Sequence, residues 1–174
     1  MKKNVSWIYK VFLLTFILAF IFSSVSTIIS NNFNTIILTI ITLVFVFIGI
    51  VFDMIGVAVL TCREAPMHAK ASKKIKGAKE AVELIKNSTK VSSICNDIIG
   101  DVCGIISGSL SAVLSINIAA LLGFSTIITT IVISALISSI TVGGKAIGKE
   151  IATKKSEDII FTVGRIKSIF NFKK

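Results

Sequence analysis

The chain has 174 residues, 53% of them apolar and 16% charged, with 19 lysines and arginines against 9 acids and a formal net charge of +10. With a mean hydropathy of +0.90, this composition excludes an ordinary water-soluble domain and a disordered chain alike. It points to an all-α integral membrane protein.

After Lys2, Lys3 and Lys10 the sequence runs uncharged from 11 to 52. At 1.5 Å rise per residue, such a run is about twice as long as a hydrocarbon core of roughly 30 Å requires. It must turn back on itself, and NNFN at 31–34 supplies polar turn chemistry. Two spans are therefore predicted, at 8–30 and 35–61. The basic start followed by Ser24-Val25-Ser26 also resembles a secretory signal with a small-residue cleavage site, although cleavage would leave the orientation of the next helix unchanged. A second uncharged run, from 102 to 144, is interrupted at Asn117 and at Gly123-Phe124-Ser125, which predicts spans at 93–121 and 124–144. Only helices and closed barrels satisfy their backbones in lipid, and no strand-like alternation is visible, so four transmembrane helices are expected.

The basic residues orient these helices. Three stand at the N-terminus, eight between Arg63 and Lys90 and eight from Lys145 to Lys174, while the turns at 31–34 and 117–125 carry none. By the positive-inside rule, both termini and the 62–92 segment are cytosolic and the uncharged turns face out, in a cell membrane, inner or plasma. The positive balance also attracts anionic lipid, whereas no aromatic-basic module accompanies it and no nucleic-acid partner is expected. Cysteines 62, 95 and 103 are odd in number and read as small buried hydrophobes.

Between spans two and three, Pro66 suits the first turn of a helix, Gly77 suits a break, and AKEAVELIK sets Ala78, Ala81, Val82 and Ile85 on one face. The segment reads as a cytosolic helix-turn-helix. Six of the nine acids are interleaved with lysines there and in the tail. The other three, Asp53, Asp97 and Asp101, fall within predicted spans, where each charge costs at least about 2.5–3.5 kcal/mol. Asp53 lies on the stripe Gly49-Asp53-Gly56, and Asp97-Asp101-Gly104-Gly108 repeats the arrangement, so these aspartates are expected to face protein. Either they cap helix starts and pair with lysines, or Asp53, Asn96, Asp97 and Asp101 form a hard oxygen site for a divalent cation, for which Mg²⁺ is suited. Gly104, Gly108 and Ala112, beside Ser107, Ser111 and Ser115, offer a broad face for close packing, from which a homodimer is expected. No catalytic constellation is present, and an enzyme is not expected.

The order of these features resembles the membrane domain of the CorB/CNNM magnesium-transporter family. The residues that carry the resemblance are FDMIGVAVLT (52–61), GAKEAVELIKN (77–87), NDIIGD (96–101) and TVGGKAIGKEIA (141–152), and it covers 45–152. It implies a homodimer with three helices per subunit and a cytosolic hairpin, holding Mg²⁺ in a polar cavity. The chain departs from the family motifs: Gly56 and Lys145 stand where glutamates are usual, while Lys149 is kept. Lys145, Lys149 and Gly56 are therefore expected to modulate the site, with Lys145 able to take the cation's place. The domain division is 1–34 for an N-terminal transmembrane helix and outer turn, 35–152 for the membrane domain with its hairpin at 62–92, and 153–174 for a basic cytosolic tail. Divalent-cation transport or binding is the expected function. The alternative is a non-transporting membrane scaffold that binds a cytosolic partner or anionic lipid.

Overall fold

The computed structural model describes residues 12–13, 16–17, 19–28 and 33–171, and among these every regular element is helical. The order is α1 (Ala19–Ile28), α2 (Thr35–Thr61), α3 (Glu64–Ser72), α4 (Ala78–Lys86), α5 (Ser88–Ser93), a π-helical segment (Ile94–Gly100), α6 (Asp101–Leu122), α7 (Thr126–Lys154) and α8 (Ser156–Asn171). Three helices are long and apolar enough to cross a membrane: α2, the continuous Ser88–Leu122 and α7. Only 6% of the apolar window of α7 is buried, so most of that surface needs a solvent less polar than water. The predicted first span, 8–30, and Asn31 and Asn32 of its turn lie partly outside the described residues, of which Ala19–Ile28 is helical.

The stop after α6 is a glycine effect. Gly123 takes φ +68° and the Phe124 N–H donates to the Ala119 carbonyl at 3.2 Å, the six-to-one bond of a Schellman ending. Asn117, expected as a break, stays inside α6 because it cannot outweigh the apolar register around it.

The chain divides into two compact units, Met1–Val46 with Val102–Ile140, and Phe47–Asp101 with Thr141–Lys174. These bounds differ from the division at 34 and 152, because α2 and α7 each supply residues to both units. The first unit has Leu38, Ile106, Leu110 and Leu114 at its centre, with Phe22, Phe45 and Ile133 against them. The Ser23 and Ser109 hydroxyls lie 2.8 Å apart. Ser107, Ser111 and Ser115 are buried, and their hydroxyls donate to carbonyls of their own helix at 3.2, 2.7 and 2.7 Å. Such back-bonding lets hydroxyls enter an apolar core without a partner from another helix. Gly104, Gly108 and Ala112 are exposed, and a Cβ on either glycine would meet nothing within 4 Å. The two stripes expected to form one broad face thus point different ways.

In the second unit, α3 and α4 pack on each other and α8 packs on both. Pro66 falls in the first turn of α3, where its missing N–H costs nothing. Gly77 turns the chain into α4 with φ +90°, and a Cβ there would lie 2.6 Å from the Arg165 Cα. Ala78, Ala81 and Ile85 are buried on the expected face of α4. Within the segment expected as a basic tail, 153–174, Ser156–Asn171 forms α8, which buries Ile160 and Ser168. It opens with Glu157 and Asp158, acids that favour a helix N-terminus. Gly164 lies against Gly77 and Ala81, and Lys167 Nζ donates to Glu83 Oε2 at 2.8 Å. That lysine holds the Glu83 carboxyl below its usual range, by hydrogen bonding first and by charge second. Lys70 stands 4.5 Å from the Phe161 ring centre. The core joins Ala58, Val59, Cys62, Met67, Ala81, Ile85, Ala152 and Ile160.

Two outcomes follow from this packing. A Cβ on Gly164 would sit 2.9 Å from the Ala81 Cβ and 2.5 Å from the Gly77 carbonyl. Both are fixed atoms, so Gly164→Ala should destabilise the second unit by the ~1–3 kcal/mol of overpacking. Gly143→Ala, in open space, should be neutral or slightly stabilising, and thermal melts compare the two. Burial pushes the Cys62 thiol up, Glu157 adds to this and Lys70 opposes it. Since the thiolate is the nucleophile, alkylation of Cys62 should be slow at neutral pH and accelerate only above the ordinary thiol range, read by mass spectrometry.

Candidate functional site

Every residue of the site lies in the second unit. Its first determinant is how closely α7 approaches α2. Gly144, Gly148 and Ala152 recur every four residues, and a Cβ on Gly144 would overlap the Ile50 side chain. On Gly148 it would lie 3.7 Å from both the Ile50 carbonyl oxygen and the Met54 Cβ, and Ala152 is fully buried. Small residues at this spacing remove the side chains that would hold two helices apart. Each glycine is followed by a lysine, and the same contact carries Lys149 to Asp53 on α2.

Asp53 is the buried acid of the site, 5% exposed in mid-helix. Its Oδ2 lies 3.5 Å from Lys149 Nζ, an ion pair of unequal ends: the lysine side chain is 54% exposed and the aspartate side chain 7%. At that separation the contact is not a hydrogen bond, and no donor meets the buried Asp53 Oδ2.

The second determinant is Gly56, one turn along the same face of α2. A Cβ there would overlap the Asn96 amide, so Gly56 makes room for Asn96. Asn96 Nδ2 donates to Ser92 Oγ at 3.2 Å, while Asn96 Oδ1 is buried without a donor. Two acceptor oxygens, one on α2 and one packed against its next turn, are thus both buried and unsatisfied. Each such group costs about 1–3 kcal/mol, more for a charge.

Asn96 and Asp97, neighbours on the π-helical segment, point different ways, as successive helical residues do. Bonding from i to i+5 inserts a residue into the turn and shifts the register, a device found often at functional sites. Asn96 comes to α2, whereas Asp97 and Asp101 are exposed. Neither forms an ion pair among the described residues. Lys145 Nζ lies by the π-helical backbone, 3.8 Å from where a Gly100 Cβ would stand, and Lys149, not Lys145, pairs with Asp53. Of the four expected ligands, Asp53 and Asn96 have buried oxygens, Asn96 lying against Gly56 one turn from Asp53, while Asp97 and Asp101 are exposed. No group of three or more histidine, cysteine, aspartate or glutamate side chains gathers among the described residues.

Lys149 as the partner and Ser92 as the support of Asn96 were not read from the sequence. The signal for the first was present in GGKAIGK, where the glycines mark the contact face and each lysine is its neighbour. No protein-family model matches the chain, and neither a curated protein nor a solved structure does.

The unequal burial of the pair predicts an asymmetry. Lys149→Met leaves a buried carboxylate without its cation and should destabilise strongly, toward the ~3–5 kcal/mol of a broken buried pair. Asp53→Asn frees an ammonium that already reaches out of the protein and should cost ~1 kcal/mol or less. Melts of both variants in detergent without divalent ions read the difference, and equal losses would contradict it.

Proposed function

We propose that the protein is a multi-pass membrane protein that binds a divalent cation, Mg²⁺ foremost, at Asp53 and Asn96, and moves it across the membrane. The observation that carries this reading is the pair of buried oxygens, Asp53 Oδ2 and Asn96 Oδ1, that accept no hydrogen bond, the first having only the Lys149 ion pair at 3.5 Å. A carboxylate and an amide carbonyl are hard oxygen ligands, and Mg²⁺ combines one or two such groups with retained waters. Lys149 neutralises Asp53 until the ion arrives, then swings outward on a side chain that is already half exposed. Asp97 and Asp101, exposed on the neighbouring helix, raise the local cation concentration at longer range.

The CorB/CNNM resemblance of residues 45–152 supports the same ion and a homodimer, for which the exposed Gly104, Gly108 and Ala112 offer a close-packing face. The distribution of lysine and arginine supports four spans, with both termini, the α3–α4 hairpin and α8 on the cytosolic side of the cell membrane.

The Asp53–Lys149 ion pair favours a second reading, a non-transporting membrane scaffold in which the lysine permanently takes the cation's place. One experiment separates the two. A ligand at 100 times its Kd stabilises by about 2.7 kcal/mol. Excess Mg²⁺ should therefore raise the Tm of the wild type, leave Asp53→Asn unchanged and raise Lys149→Met more than the wild type. If neither the wild type nor Lys149→Met responds to any divalent ion, the cation site is wrong and the pair is structural.

A further inference from the structure

The turn between α3 and α4 carries a second feature, independent of the ion site. Lys73, Lys74, Lys76 and Lys79 are all exposed around Ile75, itself 42% exposed. Lys74 holds φ +56° and Gly77 φ +90°, which folds the four lysines into one compact turn. Ser72, Lys74, Ile75, Lys76, Lys79 and Ser168 line a shallow open groove there, with Glu80 as its one acid. Beside it on α8, Ile169 is 62% exposed. Lysines that surround a protruding aliphatic side chain are the chemistry of an interface where phosphate lies above hydrocarbon.

We infer that this turn is a docking surface for an anionic phospholipid leaflet. The chain's connections favour a lipid over a soluble acidic partner. α3 starts three residues after the end of α2, a membrane-length helix, and Ser88 begins another directly after α4. A nine-residue helix is ~13 Å long, so the turn stays tethered within reach of the headgroups and binds them at high effective concentration. Each lysine near an anionic surface contributes about fivefold in partitioning, so Lys74, Lys76 and Lys79 together contribute about 100-fold.

The test uses the full chain with Ile75→Trp in a Trp7→Phe background, in nanodiscs of phosphatidylcholine with or without phosphatidylglycerol. All the substituted residues of the turn are exposed, so folding is not at issue there. In anionic discs the emission of the introduced indole should shift to the blue and be quenched by brominated acyl chains. High salt, or the triple change Lys74→Gln, Lys76→Gln and Lys79→Gln, should reverse both effects. As a second readout, phosphatidylglycerol should raise the Tm of the wild type and leave the triple variant unchanged. Emission and Tm that do not depend on lipid charge would overturn the proposal and indicate a soluble acidic partner, and a lipid effect that survives the triple variant would overturn the assignment to these lysines.

Discussion

The close approach of α7 to α2 is the constraint on which the site depends. Ile50 lies directly against Gly144 and Gly148, and Met54 against Gly148; a Cβ on Gly144 would force the Ile50 side chain to move, while one on Gly148 would fill the contact. Because lysines follow both glycines, the packing that brings the backbones together also sets an ammonium beside Asp53. Steric fit and electrostatics are therefore one feature of the sequence here. Gly56 repeats the logic on the other side of Asp53, giving up its own volume so that the Asn96 amide can enter.

Gly56 and Gly77 were read from the sequence, whereas Gly144, Gly148 and Gly164 were not, and Gly104 and Gly108, expected in a packing face, are exposed. Hydropathy placed α2 to the residue and exposed the two long uncharged runs, because burial in lipid demands an unbroken apolar pattern. Gly77 as a helix break and the buried face of α4 followed from spacing alone. Asp97 and Asp101 were read on an α-helical stripe, and the π-helical segment cannot be foreseen from a pattern with a period of 3.6. α8 was also missed, since its amphipathic signal is blurred by Ile166 and Ile169, which are exposed, while Ile160, Gly164 and Ser168 serve the interior. Which lysine pairs with Asp53 depends on a close interhelical contact, information that no one-dimensional pattern carries.

The second unit shows how a strongly basic segment packs without large repulsion. Most of its lysines stay exposed, where water screens them. Several drawn into contacts are matched in different ways, among them Lys70 by the Phe161 ring, Lys154 by Glu150, Lys167 by Glu83 and Lys149 by Asp53. Of these four, the last has a buried carboxylate partner, and there water screens the attraction least. Two unit charges 4 Å apart gain about 1 kcal/mol in water but about 4 kcal/mol at an effective dielectric of 20.

That difference bears on what a cation at Asp53 could be. With Lys149 in place the pair is neutral, so an arriving ion must displace a tethered ammonium that never leaves the neighbourhood. The lysine's own cost of leaving is small because its side chain is already half in the open. Displacement leaves one carboxylate and one amide oxygen for the ion, a sparse ligand set that water must complete. On the proposed reading, such a site would favour an ion that keeps part of its hydration shell and would bind it weakly. Weak binding would suit the proposed passage rather than storage, because an ion held by few protein ligands and opposed by a returning lysine would also be readily released.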